Sequence, residues 1–259
     1  MSKKRAMWNE ATYRRYIAEG RGQGVLEEYK PWIVIQDFPS RGIVSRIQGI
    51  TTGRVHHLMS NLELYYFYIL DWSQRTIDIR EQFPLVDLQD AMEIADKIGV
   101  KYPVDKRSGF PYVLTSDFLI TTNQGIVVRS VKLSGELKKL RVREKLEIER
   151  QYWEKRGIEW RLVTEHEISM LKAKNIEWLL SGEQLSQLIS DEDVMKRSLC
   201  RFLELYGADD IPFSQILEII EKEYRLERGG GIAIFKKLVT DRRIPLDISR
   251  KIDLSDPRK

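Results

Sequence analysis

The stretch TSDFLITTNQGIVVRSVKLSG, Thr115 to Gly135, constrains this chain more than any other. Two apolar runs flank the turn formers Asn123, Gln124 and Gly125, which is the pattern of a β-hairpin. With Asn123 and Gln124 in the turn, Asp117 faces Ser130 across the ladder and Lys132 lies one step diagonal from Asp117. All three then share a face. Directly opposed side chains stand about 5 Å apart and diagonal ones about 7–8 Å. Phe118, Ile120, Val127 and Val131 divide between the two faces and tie the hairpin into a sheet, whereas a one-residue slip of one strand would send Asp117 and Lys132 to opposite faces.

The flanking sequence supplies the layers such a sheet needs. SNLELYYFYILDW opens with Ser60 and places Glu63 three residues later, the capping-box spacing, ahead of a run apolar enough for a buried helix. In that run Tyr65 to Tyr68 read as core packing. TIDIREQFPL alternates Ile77, Ile79, Glu81 and Phe83 and ends at Pro84, as a strand does. Residues 85–112 read as an insertion with one short helix, LQDAMEIADKIG, closed by Gly99. After the hairpin, GELKKLRVREKLEIERQYWEKRG is a charged helix stopped at Gly157, with Arg143 and Glu147, and Arg150 and Glu154, spaced to pair on a solvated face. IEWRLVT is a further strand. The order helix, strand, strand, strand, helix, strand predicts an α/β domain, a sheet with helices on its faces.

Outside this core, residues 1–50 read as an N-terminal arm with a helix over ATYRRYIAE and a glycine hinge at EGRGQG. Those glycines are not followed by the Gly-Lys-Ser/Thr of a phosphate-binding loop. The core domain is expected over 51–180. From 181 to 259 the sequence turns helical, over 184–189, 194–206 and 213–225 and again after the glycines at 229–231, and closes on a short IPLDI strand. That order suits either a winged-helix-like module or a generic helical cap.

Charge and cysteine content narrow the function classes. Among 259 residues, 43 basic against 39 acidic side chains leave a net charge of +4, so a face for a polyanion has to be local. One cysteine, Cys200, excludes an intrachain disulfide and cysteine-rich zinc frameworks and fits a reducing cytoplasm. Neither a signal-peptide apolar core nor a membrane-length apolar run is present. Three histidines, at 56, 57 and 166, do not form a zinc pattern. Arg54 and His57, in TGRVHH ahead of the first core helix, are candidates for contacts to DNA phosphates or for a structural role.

Taken alone, Asp117 and Lys132 make a cross-strand ion pair. Magnesium, however, prefers oxygen ligands and keeps several waters, so one or two carboxylates and a backbone carbonyl, such as that of Val131, make an open site for it. A cation there polarises a phosphoryl oxygen while the lysine neutralises charge, which points to phosphodiester hydrolysis.

At these residues the chain resembles the PD-(D/E)xK nucleases, with SDF at Asp117 and SVK at Lys132 as the two motifs. More specifically it is similar to the TnsA family, the endonuclease subunit of TnsABC-type transposons, in GRGQG, TGRVHHLMSNLEL, DIREQFPL, TSDFLI, EKLEIERQYW and NIEWL, across residues 19–179. The resemblance implies a restriction-endonuclease-like mixed sheet. It also implies Glu63 and Asp117 as ligands of magnesium, with manganese able to substitute, and Lys132 as the catalytic lysine. It implies cleavage of the 5′ strand ends of a transposon beside a TnsB-like DDE transposase and a TnsC-like AAA+ ATPase, with the C-terminal domain contacting partners. Two positions need separate treatment. Ser130 stands where the family usually has Gln or Glu, a shorter and uncharged group that either acts through a water or marks a weakened or inactive nuclease-fold subunit serving as an assembly and partner-binding protein in the transposition complex. Glu149 matches the family's helix pattern, but Lys145 four residues before it predicts a surface ion pair.

Overall fold

The computed structural model describes residues 7–37, 43–186, 191–208, 210–255 and 257, with side chains left out at 182–186. It divides into two compact units, Met1–Ile168 and Ser169–Lys259.

In the first unit the hairpin forms in the expected register. Strand β4 (Thr115–Thr122) pairs antiparallel with β5 (Gly125–Val131), Phe118 opposite Arg129 and Thr122 opposite Gly125. The preceding strand, β3 (Thr76–Pro84), adds antiparallel to β4, and β6 (Glu159–Val163) adds parallel to β5, giving a mixed sheet of order β3-β4-β5-β6. A separate pair, β1 (Ser45–Gln48) and β2 (Val55–Leu58), precedes it. Alternation along the hairpin sends Leu119 and Val128 to one face. There they pack with Ile94 of α3 (Leu88–Lys97) and Ile148, Tyr152 and Trp153 of α4 (Leu140–Glu154). Phe118 points the other way and meets Tyr66 of α2 (Asn61–Trp72) edge-on, ring centroids 5.9 Å apart. Phe67 and Tyr68 are buried, as core packing requires. The layers are those of a restriction-endonuclease-like fold, a central mixed sheet flanked by helices.

Two regions of this unit differ from the sequence reading. Strand β3 does not alternate simply. Its register shifts between Thr76 and Asp78, leaving Ile77 exposed while Ile79 and Glu81 are buried. Nor do residues 7–37 form an arm on a loose hinge. Helix α1 (Glu10–Ala18) lies among Trp8, Tyr13, Tyr16 and Trp32, the indole of Trp8 donates to Pro111 O at 2.8 Å, and Tyr29 Oη donates to Glu81 O at 3.1 Å. Gly22, at φ 77°, donates from its N–H to Lys30 O, and a β-carbon there would lie 2.4 Å from the Pro84 ring. The glycines therefore fold the segment back onto β3 instead of loosening it.

The second unit is helical. Its helices are α5 (Met170–Ser186), α6 (Glu192–Tyr206), α7 (Phe213–Glu223) and α8 (Gly230–Thr240). Phe202, Tyr206, Phe213 and Phe235 form an aromatic centre. Asp191 caps α6 through the N–H groups of Asp193 and Val194. The expected IPLDI strand is not formed at 244–248, where Ile244 and Ile248 are buried in irregular backbone, so among the described residues this unit has no wing. Of the helix expected over 184–189, residues 187–189 lie outside the described residues. The break at 168/169 precedes the expected 180/181 because α5 is continuous across that point and its Ala173, Ile176 and Leu179 are buried.

Candidate active site

The hairpin register brings Asp117 and Lys132 into contact. Asp117 Oδ2 accepts from Lys132 Nζ at 2.6 Å and from the backbone N–H of Val131 at 2.6 Å. The same ammonium donates to Val131 O at 2.9 Å. A positive charge thus sits between the carboxylate and the carbonyl that the sequence offered as cation ligands. Burial alone would favour the neutral amine, but the charge and hydrogen bond of Asp117 override it and raise the lysine pKa. Lys132 is an ammonium at any physiological pH.

Glu63 arrives from the first turn of α2. Ser60 is the N-cap, its hydroxyl oxygen accepting from Glu63 N–H at 3.1 Å, while Glu63 Oε2 accepts from Met59 N–H at 2.9 Å and Oε1 from Ser60 Oγ at 3.0 Å. The reciprocal cap reaches one residue further back than the usual capping box. Capping does not take Glu63 away from the hairpin. Its carboxyl is buried and its pKa rises to about 7, first through desolvation and then through the negative charge of Asp117, with Lys132 opposing. Gln82, held at φ 48°, points its amide Nε2 at Glu63 Oε2 (3.4 Å) and accepts from Thr115 Oγ1 at 3.1 Å, linking α2, β3 and β4.

Glu149 overturns its expected role. It is 5% exposed and forms no ion pair with Lys145. Instead its Oε1 accepts from the Ser130 hydroxyl and from Trp160 Nε1 at 3.0 Å. Burial, then the charge of Asp117, push its pKa up to about 7. Ser130 is accordingly bound to a carboxylate supplied by α4. The signal was present in sequence: Glu149 lies three residues after Leu146 and three and four before Tyr152 and Trp153, in the middle of a buried stripe. The donor Trp160 and the link residue Gln82 carry no motif and were not anticipated.

Arg54 does not face solvent. Its guanidinium donates to both oxygens of the fully buried Glu81, to Ile79 O at 2.9 Å and to Leu26 O at 3.1 Å, so the expected DNA contact is not available to it. Glu81 also accepts from His56 Nδ1 at 2.8 Å and from His57 N–H at 3.0 Å. Against the cost of burial, these donors draw its pKa down to about 2. The cluster holds the β2 strand against β3. His57 is only half-buried, with Nδ1 accepting from Ile35 N–H at 3.4 Å.

Asp117, Glu63 and Glu149, all buried, each act electrostatically on the Lys132 ammonium, and the donors they offer are all oxygens. Such a set suits a hard divalent cation. Among the described residues no three Asp, Glu, His or Cys side chains are already arranged around one point. Glu63 and Asp117 with the Val131 carbonyl could hold an ion that keeps waters, as magnesium does.

Comparison with known proteins shows the family. Residues 73–165 match the family described as TnsA-like endonuclease N terminal, and residues 167–248 that described as TnsA endonuclease C terminal. The chain is 36% identical over 252 residues to the Transposon Tn7 transposition protein TnsA of Escherichia coli, covering 96% of this chain and 90% of that protein. The chain belongs to the TnsA family. It is a transposase endonuclease subunit, and the two family matches meet where the structure divides. Among the described residues no helix is long and apolar enough to cross a membrane.

Proposed function

We infer that this TnsA-family protein is a divalent-metal-dependent nuclease that hydrolyses the 5′ strand ends of a transposon during excision. The observation that carries the reading is the Asp117–Lys132 contact, with Glu63 close enough for its ionisation to respond to both. Glu63, Asp117 and the Val131 carbonyl would hold the cation, with magnesium the natural ion and manganese a substitute. A cation there supplies Lewis-acid stabilisation of charge building on the phosphoryl oxygens.

The remaining work falls to the side chains. Lys132, kept protonated, neutralises charge on the phosphate and does not act as a base. Asp117 fixes that ammonium. Glu149, with its carboxyl fixed by the Ser130 hydroxyl and the Trp160 indole, is the group placed to accept a proton from water. Ser130 is therefore no sign of a decayed site. His57 remains a candidate phosphate contact. A TnsB-like transposase and a TnsC-like ATPase are the expected partners, and transposon-end DNA the substrate. The test is strand cleavage by the full chain with its transposase and end DNA. Magnesium-dependent 5′ nicks that vanish with Asp117→Ala support the reading, and equal nicking by the variant overturns it.

A further inference from the structure

The two acids that could neutralise the start of α4 are engaged elsewhere. Arg143 stands four residues before Glu147, but Glu147 is taken by Arg150, at 2.9 Å from Nε and 2.5 Å from Nη2. Lys145 stands four before Glu149, which is turned into the site. Both cations are exposed, and neither has an ion-pair partner among the described residues. Their positions differ. At about 100° per residue, Lys145 shares the stripe of Glu149, one turn nearer the helix start, whereas Arg143 lies on the far side. Arg141, one turn before Lys145, is held by Glu144 at 2.8 Å and by Lys101 O at 2.6 Å. Desolvation of the amine first, then the positive charges of Arg141 and Lys132, push Lys145 below its ordinary pKa.

Lys132 and Arg141 each hold an acid, Asp117 and Glu144, whereas Lys145, exposed on the stripe of Glu149, holds none among the described residues and is left to meet an anion. The anion such a position meets is the one that approaches Lys132. Resting on the nuclease reading above, we propose that Lys145 contacts a backbone phosphate of the cleaved DNA strand and positions it beside the Asp117–Lys132 site. Arg143, of equal charge and two residues away, is outside this contact.

The test uses the full-length chain carrying Asp117→Ala, a short fluorescent duplex, and anisotropy titrations between about 50 and 200 mM NaCl. Lys145→Ala lowers the slope of log K against log salt by about 0.9, the value of one phosphate contact, while Lys145→Arg keeps it and Arg143→Ala leaves it unchanged. In the cleavage-competent chain Lys145→Ala raises KM and leaves kcat. Lys145→Gln repeats the measurement should the alanine variant lose its cooperative melt. An unchanged slope in Lys145→Ala and Lys145→Gln, or an equal loss in Arg143→Ala, overturns the inference while the nuclease reading stands. No binding by the parent at the lowest salt overturns both.

Discussion

Glu149 and Glu81 are both buried carboxyl groups, and their surroundings move them in opposite directions. Glu81 meets a guanidinium and an imidazole and stays charged, whereas Glu149 meets a hydroxyl, an indole and the negative field of Asp117. Removing the Glu81 charge leaves Arg54 buried and unpaired, so Glu81→Ala should lose about 3–5 kcal/mol in urea unfolding. A loss under 1 kcal/mol would mean that the cluster relaxes to solvent. For Glu149 the raised pKa makes the uncharged form the favoured one. Its contribution is full below about pH 4.5 and is lost as pH rises through about 7, on the order of 3 kcal/mol for a shift of this size. In metal-free buffer the Tm of the parent should therefore fall from pH 5 to pH 8 by more than that of Glu149→Gln, and a parallel fall would contradict the assignment. Residue identity in the sequence exposed Asp117, Lys132 and Glu63. It did not reveal which of two available partners a carboxylate takes. Glu149 and Lys145 have pairing spacing, but burial of the stripe around Glu149 decided the matter.

Elements were the more legible scale, because periodicity and turn chemistry are local. The hairpin register followed from its turn residues, and α2, α3, α4 and β6 from caps, glycines and apolar spacing. Irregular backbone was not legible: the bulge in β3, the left-handed Gln82, and the missing strand at 244–248 depend on what packs against them. Close approach of helices is equally non-local. Gly231 in α8 is such a place, since a β-carbon there would lie 2.8 Å from Leu217 O of α7. Gly231→Ala gains about 1 kcal/mol of helix propensity and meets an overpacking cost of about 1–3 kcal/mol. A net fall in the urea midpoint is expected, and a rise would show that α7 and α8 separate freely.

At the scale of the whole molecule, the chain divides at 168/169, a boundary that composition placed twelve residues late because α5 looks no different on either side of it. Asn175 Nδ2 donates to Ile248 O and Arg250 O, and Ala173, Ile176 and Leu179 are buried, so the start of α5 completes the second unit. Residues 169–259 expressed alone should melt cooperatively, and 181–259 should not. Equal melts would move the boundary. The candidate site belongs to the first unit and is assembled from α2, β4, β5 and α4, which no single stretch of sequence displays. On the proposed function these elements together make one place for a divalent cation. Calorimetric titration of the full chain with manganese tests this most directly. Binding by the parent that is lost in both Asp117→Ala and Glu63→Gln is the predicted result, and unchanged binding in either variant would contradict it.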